Sequence, residues 1–159
     1  MKQQCHISFV YGSWLVLACG MVYYLVHGNY IQAVVWLFFV ALFLWLYVRY
    51  FPSLSRYMGY GSVDDVAATH TAPAAAVNVT LYTGVGCPFC PIIKHRLLDL
   101  KSRMAFELKE VDVTFRPELL ISKGIRALPV IEIGDAMRVG NGTSQELAQF
   151  IAEHAAAKS

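Results

Sequence analysis

Two cysteines three positions apart, Cys87 and Cys90, are the residues of this sequence best suited to chemistry. The apolar segment 77–83 and a glycine-bearing turn precede them, and apolar residues with helical spacing follow. This order predicts a strand, a turn and a helix that begins near Pro88, with Cys87 at the helix start. The unpaired amides and the positive dipole end of such a start favour the thiolate, which is the nucleophilic form of cysteine. We therefore predict that Cys87 is the attacking, more exposed and more acidic thiol, and that Cys90 closes a disulfide with it.

A metal site and a purely structural role are the alternatives for these two cysteines. A structural zinc ion needs four ligands, usually from a second Cys or His pair. The other cysteines, Cys5 and Cys19, have no ligand-like neighbour, and His95 is better explained as a surface residue of the predicted helix. The sequence therefore favours a dithiol–disulfide redox centre, with no bound metal.

Charged residues are absent from one long part of the chain. The sequence has 13 Lys and Arg and 11 Asp and Glu, but none of them lies between Gln3 and Val48. Two apolar segments in this region, 7–26 and 31–48, are each close to the length that crosses a hydrocarbon core about 30 Å thick. We predict that residues 1–60 form a transmembrane hairpin of two helices, which makes the protein a multi-pass membrane protein.

The flanks of the two spans predict their orientation. The turn His27-Gly28-Asn29 separates the spans, and Phe51-Pro52 is expected to end the second one. Lys2, Arg49 and Arg56 lie outside the spans, whereas the turn has no Lys or Arg. Because positive residues stay on the cytoplasmic side, both termini and the redox domain are predicted to be cytoplasmic, at an inner or plasma membrane.

The two remaining cysteines belong to this apolar part. Cys19 lies within the first span, where a small apolar packing role is expected. Cys5 lies at the predicted membrane edge. A cysteine at that position is a weak signal of lipidation or of an accessory redox role.

The charged part of the chain has a different organisation. Residues 61–76 show no periodicity and are predicted to be a flexible linker to a domain over 77–159. The predicted elements of the domain are strand 77–83, helix 88–103, strand 106–113, helix 117–123, strands 130–133 and 136–139, and a last helix from Thr143 or Ser144. The order β-α-β-α-β-β-α predicts a parallel crossover between the first two strands and an antiparallel pair at the edge.

That order, with a C-x-x-C motif after the first strand, resembles the thioredoxin fold over about Val77 to His154, and the motif Cys87-Pro88-Phe89-Cys90 resembles the glutaredoxin active site. The segment 126–130 resembles the family loop in which a proline, here Pro129, is cis and faces the cysteine pair. The resemblance implies an α/β thioredoxin fold and a redox-active cysteine pair.

Substrate-binding residues also follow from the resemblance. It implies that the backbone of Leu128 pairs with a peptide or glutathione substrate, and that Pro88, Phe89 and Pro129 border the substrate. Val85 and Gly86 stand where a glutaredoxin carries a basic residue before its first cysteine. Segment 140–144 lacks that family's double glycine and acidic pair, although Thr143 and Ser144 at a helix N-terminus are candidates to bind a carboxylate.

The sequence as a whole predicts a membrane-anchored thiol–disulfide oxidoreductase. Its expected partners are protein disulfides or glutathione, a candidate co-substrate, together with a partner membrane protein; no bound cofactor is expected. The net charge is only +2, and the sequence has no basic run with aromatic residues interleaved in it. Both features argue against nucleic-acid binding. The alternatives are an iron–sulfur cluster carrier, with the cluster held between protomers, and a small structural subunit of a membrane complex.

Overall fold

The computed structural model describes residues 4–55 and 77–156, so the predicted linker at 61–76 lies outside the described residues. Eleven elements occur in these two ranges. In chain order they are β1 (Cys5–His6), α1 (Ile7–Val26), α2 (Tyr30–Leu54), β2 (Val77–Thr83), α3 (Cys90–Lys101), β3 (Phe106–Asp112), α4 (Pro117–Ser122), β4 (Ala127–Leu128), β5 (Val130–Ile133), β6 (Ala136–Val139) and α5 (Ser144–Ala156).

Helices α1 and α2 form a helical hairpin, as predicted. The turn between them contains Gly28 at φ 71°, a left-handed conformation that glycine adopts without steric cost. Farther along the hairpin, a Cβ atom at Gly20 would collide with the indole ring of Trp36. Glycine at this position therefore allows the two helices to approach closely.

The two helices differ in how well they fit a membrane. Within α2, Tyr30–Phe51 is long and apolar enough to cross a bilayer, with a mean hydropathy of 2.3, whereas the apolar helix Val10–Val26 is shorter. The predicted end of the second helix at Phe51 is wrong. The helix continues to Leu54, and the amide of Ser55 donates to the carbonyl of Phe51 at 2.8 Å. Because a proline removes only its own amide from the ladder, the following turn can still close.

The domain is built on a four-stranded sheet in the order β3-β2-β5-β6. Strands β2 and β3 are parallel, and α3 connects them. Strand β5 runs antiparallel to both β2 and β6. The predicted parallel crossover and antiparallel edge pair are therefore both confirmed.

Alternation along β2 divides the buried apolar side chains between two clusters. Val79 and Leu81 belong to a core formed with α3, β5 and α5, whereas Tyr82 belongs to a second cluster. This second cluster includes Val10 and Phe51 of the hairpin as well as residues of the domain. The hairpin and the domain therefore share one hydrophobic core.

Neighbouring leucines of α3 provide a test of the first core. Leu97 is fully buried, whereas the side chain of Leu98 is 50% exposed. We expect Leu97→Ala to lower the free energy of unfolding by about 2–5 kcal/mol, because it removes buried methyl groups and leaves a cavity. Leu98→Ala, the matched control, should change it by less than about 1 kcal/mol. Thermal unfolding of the detergent-solubilised chain, followed by circular dichroism, measures both, and equal shifts would contradict this account.

Candidate active site

Cys87 lies in the turn between β2 and α3. Its amide donates to the carbonyl of Gly84 at 3.1 Å, and the amide of Cys90 donates to the carbonyl of Cys87 at 3.3 Å. The prediction that α3 begins near Pro88, with Cys87 at its first turn, is wrong, since α3 begins at Cys90. The physical reason is that the first helical hydrogen bond joins the Ile93 amide to the carbonyl of Phe89, at 3.1 Å.

Two contacts hold this turn in place. The amide of Val85 donates to Oγ1 of Thr114 at 2.8 Å, which ties the turn to the end of β3. Gly84 lies against the side chain of Leu128, where a Cβ atom would approach Cδ1 of that leucine to 2.7 Å. The close packing of the cysteine turn against the Leu128 loop therefore requires a residue without a side chain at position 84.

The peptide bond between Leu128 and Pro129 is cis, as the resemblance implied. Leu128 is 1% exposed and belongs to the same buried cluster as Cys87 and Cys90. Substrate was expected to pair with the backbone of Leu128, but another strand of the chain already pairs with it. Strand β1 pairs with β4 in antiparallel fashion, with Cys5 opposite Leu128.

This pairing places a third cysteine at the site. Cys5 and Cys87 belong to the same buried cluster, and each thiol affects the pKa of the other. The exposed fractions are 7% for Cys5, 2% for Cys87 and 4% for Cys90. The prediction that Cys87 is the more exposed thiol is therefore wrong, because β1 and the hairpin cover it.

Burial and hydrogen bonding change the acidity of these thiols. The hydrogen bond from Cys5 lowers the pKa of Cys87, but the hydrogen bond with Cys90 and burial outweigh it, so the pKa of Cys87 lies above its ordinary value. The pKa of Cys5 is raised, first by its hydrogen bond to Cys87 and then by burial. The Cys5 thiol itself donates to the carbonyl of His6 at 3.8 Å. The predicted low pKa of Cys87 is wrong for this covered arrangement.

Side chains of the hairpin cover the middle of the motif. The ring of Phe51 packs edge-on against Phe89, with the ring centroids 4.8 Å apart, and Phe89 is only 1% exposed. Pro88 lines a cavity of about 500 Å³ together with Val48 and Arg49 of α2. Pro88 and Phe89, which were predicted to border the substrate, therefore face the hairpin in this structure.

A second cavity, of about 320 Å³, opens directly beside the cysteines. Its lining includes Cys87, Cys90, Val48, Lys94 and Glu110. The ammonium of Lys94 and the carboxylate of Glu110 are 2.5 Å apart and form an ion pair on the domain side of the cavity. The cavity thus gives the cysteine pair a polar neighbourhood on one side and an apolar one on the other.

Thr143 caps the N-terminus of α5. The amide of Glu146 donates to the hydroxyl of Thr143, and the amide of Thr143 donates to the Glu146 carboxylate, both at 3.2 Å. This reciprocal pair is a capping box. A substrate carboxylate would have to replace that of Glu146, and Ser144 is buried. Carboxylate binding by Thr143 and Ser144 stays a prediction.

Three residues that shape the site, Cys5, Phe51 and Arg96, were not among the predicted active-site residues, and Cys5 was only a weak candidate for lipidation or an accessory redox role. Arg96 is 5% exposed, and its Nη1 donates to Oδ1 of Asn141 at 2.9 Å and to the carbonyl of Gly142 at 2.7 Å. In the sequence, Arg96 is marked only by its position, three residues after the core residue Ile93 on the same helix. It ties the loop before α5 to the helix that begins with Cys90.

A larger cavity, of about 770 Å³, lies elsewhere on the sheet and is lined by residues that include Tyr82, Lys123 and Glu132. Neither cysteine of the motif lines it. Among residues 4–55 and 77–156, no three His, Cys, Asp or Glu side chains are grouped so that they could hold a metal ion.

Comparison with known proteins supports the fold. No protein-family model matches the chain. A probable thioredoxin of Methanothermobacter thermautotrophicus is 28% identical over 78 residues, which is 47% of this chain and 92% of that protein. The crystal structure of the NTD_N/C domain of alkylhydroperoxide reductase AhpF from Enterococcus faecalis matches with a TM-score of 0.50 at 24% identity, over 62% of this chain and 50% of that chain.

These similarities and the observed topology define the class of the domain. The parallel β2–β3 pair, the antiparallel β5–β6 pair and the cis peptide before Pro129 form a thioredoxin-like fold. The chain spans half of the matched alkylhydroperoxide reductase structure, so that similarity concerns the fold alone. Residues 77–156 adopt a thioredoxin-like fold.

The acidity of Cys87 can be tested by alkylation. Because its pKa is raised, we expect iodoacetamide to modify Cys87 slowly at neutral pH and at a rate that still rises above pH ~8.5, the ordinary thiol pKa. The folded state holds the proton more tightly than the unfolded state. Stability from this group is therefore complete below about pH 8.5 and is lost as the pH rises further.

Peptide mapping after timed labelling separates Cys87 from the other cysteines. The urea-unfolded chain is the control, and there Cys87 should react at the ordinary thiol rate. A labelling rate for folded Cys87 that levels off below pH 8 would contradict the assigned pKa direction.

Proposed function

We propose that this protein is a membrane-anchored thiol–disulfide oxidoreductase that reduces protein disulfides, or glutathione mixed disulfides, through Cys87 and Cys90. One observation carries the proposal. The two cysteines lie at the β2–α3 junction of a thioredoxin-like sheet, in one buried cluster with Leu128, the residue before the cis Pro129. The similarity to a probable thioredoxin supports redox chemistry of this kind.

The reaction proceeds by two exchanges. The Cys87 thiolate attacks one sulfur of a substrate disulfide, so a mixed disulfide forms and the other substrate sulfur leaves as a thiolate. Cys90 then attacks Sγ of Cys87 and releases the second substrate thiolate. The substrate gains two electrons, and the protein is left with a Cys87–Cys90 disulfide that a cellular dithiol or glutathione reduces.

The ordering of the two roles rests on the positions of the thiols. The Cys90 amide donates to the Cys87 carbonyl, so the two residues are held together across one tight turn. Cys87 precedes α3 and borders β1, whereas Cys90 is the first residue of the helix. A substrate that displaces β1 meets Cys87 first, and Cys90 is then in place to resolve the mixed disulfide.

Membrane anchoring follows from the hairpin. The segment Tyr30–Phe51 of α2 has the length and hydropathy of a membrane span and exposes large apolar side chains along it. In the proposed arrangement α1 crosses with it, and the Phe51–Phe89 contact holds the active site close to the membrane surface. Substrates at or near the membrane are thereby favoured through their effective concentration.

The electrostatics of the site favour protein disulfides over glutathione. Glutathione carries two carboxylates, and tight binding would need cations or free amides that face the cysteines. Lys94 lines the cavity beside Cys87, but Glu110 neutralises its charge. The amide of Thr143, just before α5, already donates to the Glu146 carboxylate. Glutathione is therefore proposed as a co-substrate that reduces the oxidised protein, and not as a bound cofactor.

Single cysteine variants test the reductase activity. With dithiothreitol as the reductant, we expect the detergent-solubilised chain to accelerate insulin disulfide reduction, and Cys87→Ser to return the rate to background, because the nucleophile is lost. Cys19→Ser, the matched control on α1, should retain the activity. Full activity of Cys87→Ser would contradict the proposal.

The sidedness of the domain is tested by fusions after Ser159. Because the turn of the hairpin lacks Lys and Arg, we expect a green fluorescent protein fusion to fluoresce and an alkaline phosphatase fusion to be inactive. Active phosphatase without fluorescence would place the domain outside the cytoplasm. The proposed reductase would then be replaced by an oxidase or isomerase with the same cysteines.

A further inference from the structure

Three of the four cysteines of this chain meet in one buried cluster. Cys5, Cys87 and Cys90 are all less than one-tenth exposed, and the same apolar residues surround them. Cys19, in contrast, is exposed on α1. Reaction of Cys87 and Cys90 alone leaves the thiol of Cys5 without a function.

The backbone positions Cys5 for contact with Cys87. Its strand β1 lies along β4, with Cys5 opposite Leu128 and His6 opposite Ala127. The amide of Ile7 adds a hydrogen bond of 3.3 Å to the carbonyl of Arg126. This register places Cys5 in the buried cluster that contains Cys87 and Leu128, where the two thiols are close enough to affect each other's pKa.

We propose that Cys5 is a third redox-active cysteine, which exchanges a disulfide with Cys87. The inference rests on the proposed function, since reduction of a substrate supplies the Cys87–Cys90 disulfide that starts the exchange. The inference gives β1 two roles. The strand covers the reactive Cys87, and it carries the Cys5 thiol, which can replace Cys90 in the disulfide.

The exchange balances without any further oxidant or reductant. The Cys5 thiolate attacks Sγ of Cys87, the Cys5–Cys87 bond forms, and the Cys87–Cys90 bond breaks. Cys90 leaves as a thiolate and takes up the proton that Cys5 released. In a mixed disulfide between Cys87 and a substrate, the same attack by Cys5 expels the substrate thiolate instead.

The exchange would move one end of the disulfide from Cys90 of the domain to Cys5 of β1, so that the bond links the two. Cys5 directly precedes His6 and helix α1, whereas Cys90 begins α3 of the domain. A Cys5–Cys87 disulfide would also fasten β1 over the active site and keep it closed to substrate. Reduction of that bond would reopen the site, so the third cysteine would couple substrate access to the redox state.

The test uses the full chain in detergent with Cys19→Ala as the background. Cys90→Ser is added, the protein is oxidised with glutathione disulfide, quenched in acid, alkylated and mapped by mass spectrometry. We expect an intramolecular Cys5–Cys87 disulfide to exceed the Cys87–glutathione adduct by about tenfold or more, since a neighbouring thiol acts at millimolar or higher effective concentration.

The matched control adds Cys5→Ser to the same chain. There the Cys87–glutathione adduct should accumulate, because no second thiol remains to expel glutathione. Equal amounts of the adduct with and without Cys5 would overturn the inference. Mapping the chain that retains Cys90 gives a second measurement, in which Cys5–Cys87 and Cys87–Cys90 disulfides should both be found, and Cys87–Cys90 alone would also overturn it.

Failure of the proposed function gives a different result. Insulin reduction by the Cys19→Ala chain reports on that function, whereas the mapped disulfide reports on the exchange. Active reduction without a Cys5–Cys87 bond leaves the oxidoreductase in place and refutes the role of Cys5. A Cys5–Cys87 bond without insulin reduction supports the exchange and refutes the proposed reductase activity.

Discussion

The antiparallel pairing of β1 with β4 is the contact on which the arrangement of the active site depends. It brings the chain that leads into α1 to the loop before Pro129, and it seats Cys5 against Cys87. Other contacts support the same junction. The hydroxyl of Tyr11 donates to the carbonyl of Thr114 at 3.2 Å, and Trp14 packs against Phe115 with 6.0 Å between the ring centroids. The hairpin and the redox domain therefore meet at the cysteines.

Burial of Cys87 at this junction lowers its reactivity as a nucleophile. The apolar cluster that joins hairpin and domain removes water from Cys87, and desolvation disfavours the thiolate that the chemistry needs. The hydrogen bond from Cys5 offsets only part of that effect. The described arrangement covers Cys87, so in the proposed mechanism a substrate has to displace β1. A strand of two residues has few hydrogen bonds to lose, so a substrate strand can compete with it for the edge of β4.

The loop before α5 is held in place by a buried charged group. Arg96 leaves water to donate two hydrogen bonds, to Asn141 and Gly142. Burial of an unpaired guanidinium would be costly, and hydrogen bonds to oxygen atoms reduce that cost. The gain is positional, because the helix that starts with Cys90 is held against the segment that starts α5.

Much of the domain could be predicted from the sequence because the relevant signals are local. The sequence predicted β2, β5 and β6 at their observed bounds: alternation indicated β2, and the turn at Gly134-Asp135 separates the last two strands. Helix bounds were less accurate. The start of α3 was misplaced because two prolines near Cys90 fit the first helical positions equally well by sequence, and the choice depends on which amide reaches the Phe89 carbonyl.

The sequence by itself determined the apolar hairpin, the order of strands and helices, and the pair Cys87 and Cys90, because each depends on residues close together in the chain. Only the tertiary structure decided that β1 pairs with β4, that Cys5 contacts Cys87, and that Cys87 is covered. These features join segments far apart in the sequence. No local periodicity encodes such a pairing, since its stability comes from apolar burial and backbone hydrogen bonds that exist only when the whole chain is folded.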